Sequence, residues 1–260
     1  MSVATAKELL AGSVPLTYLD IGTGAPILVL HGAGGLLPDA PFLSGLAAHG
    51  RVIAPTHPGF GRAALPDWID SIDDLAYVYL DLLDALDLRD VTVIGFSMGG
   101  WIAAEIATKS TARIARLILV DAVGIKISDR LTRDVADIFA TEPTELLRLT
   151  FHDPSKAPDL AALSDEALEL VARNREASAL YIWEPYAHNP KLTRRLHRID
   201  RPVLLLWGES DGIVTPAYGR AYAERIPGAR FELISGAGHV PQIEQPAAFV
   251  ECVVRFIGER

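Results

Sequence analysis

Residues 91–99 read Val91-Thr-Val-Ile-Gly-Phe-Ser97-Met-Gly99, and a helical pattern from Trp101 to Thr108 follows directly. An apolar run that ends in G-x-S-x-G and passes into a helix describes a strand, a sharp turn and a helix, with the serine at the apex. Such a turn brings the chain close to itself, so only small residues fit two positions either side of the serine. Gly95 and Gly99 occupy those positions. The turn also lifts the Ser97 hydroxyl above the carboxyl edge of a sheet, which makes Ser97 the candidate nucleophile.

Working outward, other short apolar runs carry the same signature: Ile27–Leu30, Val52–Ala54, Leu117–Val120, Val203–Trp207 and Phe231–Ile234. Continuous rather than alternating hydrophobicity marks strands covered on both faces, as in a parallel sheet. Val14 to Asp20 alternates more and ends in the turn Gly22-Thr-Gly24, which suits an antiparallel edge strand. Ser71-Ile-Asp-Asp74 has the hydroxyl and the carboxylate of a helix start, and Pro246 to Ile257 reads as a closing helix with proline in its first turn. Strand and helix alternate, so the fold class is α/β with a doubly wound, mostly parallel sheet.

One region breaks the rhythm. Residues 124–198 contain no convincing strand, only three or four helical patterns separated by Pro143, Pro154, Pro158, Pro185 and Pro190. An insertion between Leu117–Val120 and Val203–Trp207 emerges beyond the carboxyl ends of the strands, where open α/β sheets bind ligands. The expected organisation is a core from 1–123 and 199–260 with a helical lid at 124–198. Phe139, Trp183 and Tyr186 in the lid, with Phe96 and Val240 beside the chemistry, are expected to line an apolar pocket.

A serine hydroxyl needs a base within hydrogen-bond reach. Of seven histidines, His239 in Ser235-Gly-Ala-Gly-His239-Val-Pro follows a strand directly and has small residues around it. His31 and His57 also follow strands and are expected at the pocket wall. The third member is a carboxylate that fixes the imidazole tautomer. Asp211, in Trp207-Gly-Glu-Ser-Asp211, is preferred; Asp121, at the end of Leu117–Val120, and Glu209 are its rivals. The glycine-rich stretch His31-Gly-Ala33-Gly-Gly35 follows Ile27–Leu30, and the backbone amides of Ala33 and Met98 are the expected oxyanion donors.

Composition narrows the partners. The chain has 260 residues, 50% hydrophobic, with a formal charge of −9, which argues against a nucleic-acid backbone as partner. No apolar run reaches the roughly 18 to 20 residues of a membrane span. The single cysteine, Cys252, cannot form an internal disulfide and sits in an apolar pattern. A cytoplasmic enzyme without metal or cofactor is expected, with the oligomeric state left open.

The stretches HGAGG at 31–35, PTHPGFG at 55–61, GFSMGG at 95–100, WGESDGIV at 207–214 and GAGHVPQIEQP at 236–246 resemble the α/β-hydrolase superfamily over nearly the whole chain. The resemblance implies the nucleophile, acid, histidine order Ser97, Asp211, His239. Epoxide hydrolases and haloalkane dehalogenases of this superfamily use an aspartate where Ser97 stands, so they are set aside. Hydrolases of ring-cleavage products share the size and the lid, but usually carry Ser-Gly-Pro-Gly or Gly-Gly-Pro-Gly where this chain has Ala33-Gly-Gly-Leu. The first expectation is therefore a carboxylic-ester hydrolase acting on small, mostly apolar esters through an acyl-enzyme. C–C bond hydrolysis comes second, and a ligand-binding protein on the same fold is the alternative of another class.

Overall fold

Each central strand presents alternate side chains to two apolar layers. Leu28 and Leu30, Val91 and Val93, Leu117 and Leu119, and Val203, Leu205 and Trp207 face one core. Ile27 and Val29, Ile94 and Phe96, Ile118 and Val120, and Leu204 and Leu206 face the other. Because successive residues of a strand point to opposite faces, a run that is apolar at every position needs cover on both sides. In the computed structural model, which describes residues 5–129 and 131–259, that cover is complete.

The sheet has eight strands: β1 (Thr5–Ala11), β2 (Val14–Ile21), β3 (Pro26–Leu30), β4 (Arg51–Pro55), β5 (Val91–Phe96), β6 (Ile114–Val120), β7 (Val203–Gly208) and β8 (Arg230–Ile234). Their spatial order is β1-β2-β4-β3-β5-β6-β7-β8. β1 and β2 pair antiparallel, as do β2 and β4; the remaining pairs are parallel. Helices α2 (Ile72–Ala85), α3 (Met98–Lys109) and α6 (Pro216–Ala223) contribute to the first core, and α1 (Pro41–Ala47) and α8 (Pro246–Gly258) to the second. The Ser71 hydroxyl accepts the Asp74 amide and the Asp74 carboxylate accepts the Ser71 amide, closing the capping box expected at the start of α2.

Strand order reverses between β3 and β5. From β3 the chain moves to β4 on one side, and β5 returns to the other, with Leu30 opposite Gly95. The loops that leave β3 and β5 therefore diverge and open a crevice at the carboxyl edge.

Among the described residues, those between β6 and β7 form no strand of the sheet. They hold α4 (Pro143–Thr150), α5 (Asp165–Ile182) and four short 3₁₀ turns, with one isolated bridge between Gly124 and His188. This insertion has two α-helices where the sequence pattern had three or four. Residues 124–129 and 131–142 are irregular chain, bends and turns, held in part by Asp134, whose carboxylate accepts the amides of Ile127 and Ser128. Among the described residues, no helix is long and apolar enough to cross a membrane.

Candidate active site

Ser97 stands at φ 50°, ψ −111°, between β5 and α3. A β-carbon on Gly95 would lie 2.2 Å from the Gly99 carbonyl oxygen, and one on Gly99 would lie 2.2 Å from that of Leu30. Both are closer than atoms can approach, so the two glycines are what let the turn close. The Ser97 amide donates to Val120 O at 2.8 Å, and its carbonyl accepts from Gly100 and Trp101. Left-handed backbone at a serine is costly and persists only when its surroundings over-determine it.

His239 leaves β8 on a loop beside this turn. The Ser97 hydroxyl donates to His239 Nε2 at 2.9 Å, and His239 Nδ1 donates to Asp211 Oδ2 at 2.8 Å. Asp211 Oδ1 accepts the amides of Ile213 (2.8 Å) and Val214 (2.9 Å), so both carboxylate oxygens are engaged. Hydrogen bonds from backbone amides to a buried carboxylate hold its anion in place. The arrangement is able to take a proton from Ser97 and to stabilise the imidazolium that results.

Asp121 and Glu209 are not in the acid's place. Asp121 is buried behind Asp211 and accepts the Gly208 amide at 2.9 Å, while Glu209 is exposed in the turn after β7. Ala33 and Met98 both line the cavity above Ser97. Among the described residues, neither amide donates to a loop or side-chain acceptor.

That cavity measures about 400 Å³ and is lined mostly by apolar side chains. Phe96, Phe139, Tyr186 and Val240 line it. His31 and Trp183 do not, and the expectation for both is corrected. His31 is buried beneath the loop: its Nε2 accepts the His57 amide at 3.0 Å, which leaves Nδ1 to donate to Gly32 O at 2.8 Å. His57 is equally buried, with Nε2 donating to His31 O at 2.9 Å and Nδ1 accepting from the Tyr79 hydroxyl. It also lies off the pocket wall. Burial lowers the His31 pKa to about 4, and burial with the neighbouring His31 lowers that of His57 well below its usual value. Both rings are neutral supports of the loop. Trp183 follows the last turn of α5, is 58% exposed, and packs edge-to-face with Phe139 at a ring-centroid distance of 5.7 Å.

Several cavity residues have no mark in the sequence. Asn174 of α5 donates to Gly34 O and accepts the Gly61 amide, and the Ser178 hydroxyl donates to Ala33 O. These two tie the insertion to the glycine loop. Arg175 is the one permanently charged side chain among the cavity's described lining residues, and its guanidinium lies over the Phe139 ring. Gln242 is buried against the cavity with Oε1 unpartnered. A polar residue every fourth position on an amphipathic helix reads as its solvated face, so Asn174 and Ser178 were hidden by their own spacing.

A family-wide sequence description, "Alpha/beta hydrolase family", matches residues 27–252. The chain belongs to that family. It is 28% identical over 268 residues to the 2-hydroxy-6-oxo-2,4-heptadienoate hydrolase of Pseudomonas putida, covering 96% of this chain and 95% of that one. A solved meta-cleavage product hydrolase from Pseudomonas fluorescens IP01 is 25% identical with a TM-score of 0.75, covering 96% and 97% of the two chains. A bromoperoxidase from Bacillus anthracis shares the fold at 22% identity, a TM-score of 0.76 and coverage of 98% and 100%. The chain is thus a hydrolase of the α/β type, and its similarity to the 2-hydroxy-6-oxo-2,4-heptadienoate hydrolase runs over nearly the full length of both chains.

Proposed function

We propose that this hydrolase cleaves a carbon–carbon bond next to a ketone in a small dienoic acid of the 2-hydroxy-6-oxo kind. The supporting observation is the full-length similarity to a hydrolase of 2-hydroxy-6-oxo-2,4-heptadienoate. The cavity suits such a molecule: apolar walls take the hydrocarbon, and Arg175 offers a lining cation for a carboxylate. This reading reverses the order expected from the sequence, which put esters first because of Ala33-Gly-Gly-Leu after His31-Gly.

In this reading Ser97 Oγ attacks the ketone carbon while His239 Nε2 takes the hydroxyl proton. The oxyanion points at the Ala33 and Met98 amides. Collapse breaks the bond to the adjacent carbon, whose electron pair passes through the conjugated acid to the 2-oxo oxygen as a dienolate, and His239 returns the proton to that oxygen. Water activated by His239 then hydrolyses the acyl group from Ser97. An electron sink in the substrate is what makes carbon a leaving group, so the acid must reach its 2-oxo tautomer first.

Ester hydrolysis is the second reading, favoured by the apolar lining, since the same four parts cleave an ester without any sink. Loss of the absorbance of the uncleaved 2-hydroxy-6-oxo-dienoic acid and release of p-nitrophenol from short-chain p-nitrophenyl esters are measured side by side, with Ser97→Ala as control. The expected kcat/KM for the dienoic acid exceeds that for the best ester at least tenfold. The opposite order makes the protein an esterase.

A further inference from the structure

Asp121 follows β6 at φ 44°, in the left-handed region, and is 1% exposed. Its Oδ1 accepts the Gly208 amide at 2.9 Å, and its Oδ2 has no donor facing it among the described residues. What lies there instead is Asp211. One ligand atom each of Asp121, Asp211 and His239 falls within 4.8 Å of the others. Asp211 Oδ2 already receives His239 Nδ1, and its Oδ1 receives two amides. A second carboxylate therefore stands behind the acid of the catalytic group, acceptor against acceptor, away from water.

Two adjacent carboxylates cannot both ionise cheaply in a buried site. Asp211 is surrounded by donors and takes the charge. Asp121 has one amide and a buried neighbour, and Glu244, also buried, adds a further acidic group nearby. We propose that Asp121 is a neutral positioning residue whose Oδ2–H donates to the Asp211 carboxylate and so holds that anion in register with His239. Burial first, and the Asp211 charge second, push the Asp121 pKa well above the carboxylate range, in the direction this requires. When His239 is protonated during turnover, the cluster then holds one cation and one anion, with Asp121 uncharged. This rests on the catalytic reading of Ser97, Asp211 and His239, and not on which bond is cleaved.

The neutral acid has a close isostere. In Asp121→Asn the Gly208 amide still needs an acceptor, which orients the side-chain carbonyl towards it and the amide N–H towards Asp211. Asparagine also tolerates the left-handed backbone. Asp121→Gly removes the group without adding backbone strain. The expected result is kcat/KM within about threefold of the parent for Asp121→Asn, with an unchanged pH profile. For Asp121→Gly, kcat falls roughly 10- to 100-fold and the acid limb of the profile moves to higher pH, because an uncompensated Asp211 holds the proton on His239 more tightly. An infrared carbonyl band of a protonated carboxyl, present near pH 7 and absent in Asp121→Asn, reads the proton itself even if the glycine variant does not fold. A thousandfold loss in Asp121→Asn, an unmoved pH profile in Asp121→Gly, a missing carbonyl band, or inactivation by a chelator each overturns the proposal. Loss of activity in Asp121→Asn with activity retained in Asp211→Asn would instead indict the assignment of the acid.

Discussion

The nucleophile and its base are supported by different parts of the chain. Around Ser97 the close supports come from the sheet, α3 and the turn that leaves β6: Val120 O on β6, the Val123 amide on Ser97 O, Leu30 O behind Gly99, and Gly99 behind Gly95. Around His239 and Asp211 the supports come largely from the insertion. The His239 amide donates to Thr150 O at 2.7 Å, and the Gly212 amide donates to Leu149 O at 2.9 Å. Glu244 accepts the Gly238 amide within the histidine loop, and the amides of His152 and Asp153 in the insertion. A strand edge can aim one side chain by itself, but two converging loops need outside bracing. The segment 124–198 is thus more than a cover that could be removed from an intact site.

The largest effect expected on the braced side is chemical. Asp211→Asn keeps the shape but leaves His239 without the acceptor that fixes its tautomer. A fall in kcat on the order of 10³ to 10⁴ is expected, with thermal stability nearly unchanged. Steady-state kinetics and a melting curve measured together decide it; a loss below tenfold would place the acid elsewhere.

Acid tests the other side. His31 and His57 are neutral in the fold, His31 down to about pH 4, whereas both charge near 6.5 once unfolded. Their folded pKa values are depressed, so the stability they contribute is present above pH 6.5 and is lost as pH falls towards 4. The expected slope is about 1.4 kcal/mol per pH unit for each histidine. Denaturant unfolding at pH 7, 5.5 and 4.5 measures it, and a curve flat to pH 4.5 would mean that the pair is not sealed under the glycine loop.

The contrast also explains what could be read from the residues alone. Ser97 was legible because the strand, the two glycines and the helix that form its turn are contiguous, from Val91 to Thr108. His239 and Asp211 were legible because each follows an apolar run. Their braces were not, since Thr150 and Leu149 act through backbone carbonyls that carry no residue signature, and Glu244 looks like any acid beside a helix start. β1 escaped notice for a related reason. Thr5–Ala11 is an edge strand with Lys7, Glu8 and Leu10 exposed, so it shows neither a continuous apolar run nor clean alternation. It is held by its pairing with β2 across the Gly12 turn, where φ is 58°. Arg175 could not be assigned to the cavity before the docking of α5 was known.

Glu244→Ala should separate bracing from chemistry. It removes an acceptor from three buried or half-buried amides without touching Ser97, His239 or Asp211. Hydrogen bonds to charged groups are each worth about 1.5 to 3 kcal/mol, and the freed loop can relax, so the expected fall in kcat is roughly 10- to 100-fold with a lower melting temperature. Glu244→Gln keeps two acceptor lone pairs and should recover part of both. Full activity in Glu244→Ala would mean that Thr150 O alone fixes the histidine loop.

The smallest effect is expected at Trp183. Its size and its place in the insertion make it look like a pocket wall, yet more than half of it faces solvent, and it packs edge-to-face with Phe139 without lining the cavity itself. Phe139 and Tyr186 are the aromatic residues of the insertion that line the cavity. Removing Trp183 therefore deletes exposed surface, and surface changes of that kind usually stay within about 0.5 kcal/mol. Phe139→Ala, by contrast, opens the wall, and each methylene that an apolar pocket gains or loses is worth about 1 to 3 kcal/mol in kcat/KM. A series of substrates differing in acyl length, assayed against both variants, compares them directly. Trp183→Ala should leave the length profile within twofold of the parent, while Phe139→Ala should shift it towards longer chains. If the tryptophan variant moves the profile as far as the phenylalanine variant does, α5 tilts in solution and carries Trp183 over the cavity mouth, and the insertion would then be a moving cover as well as a brace.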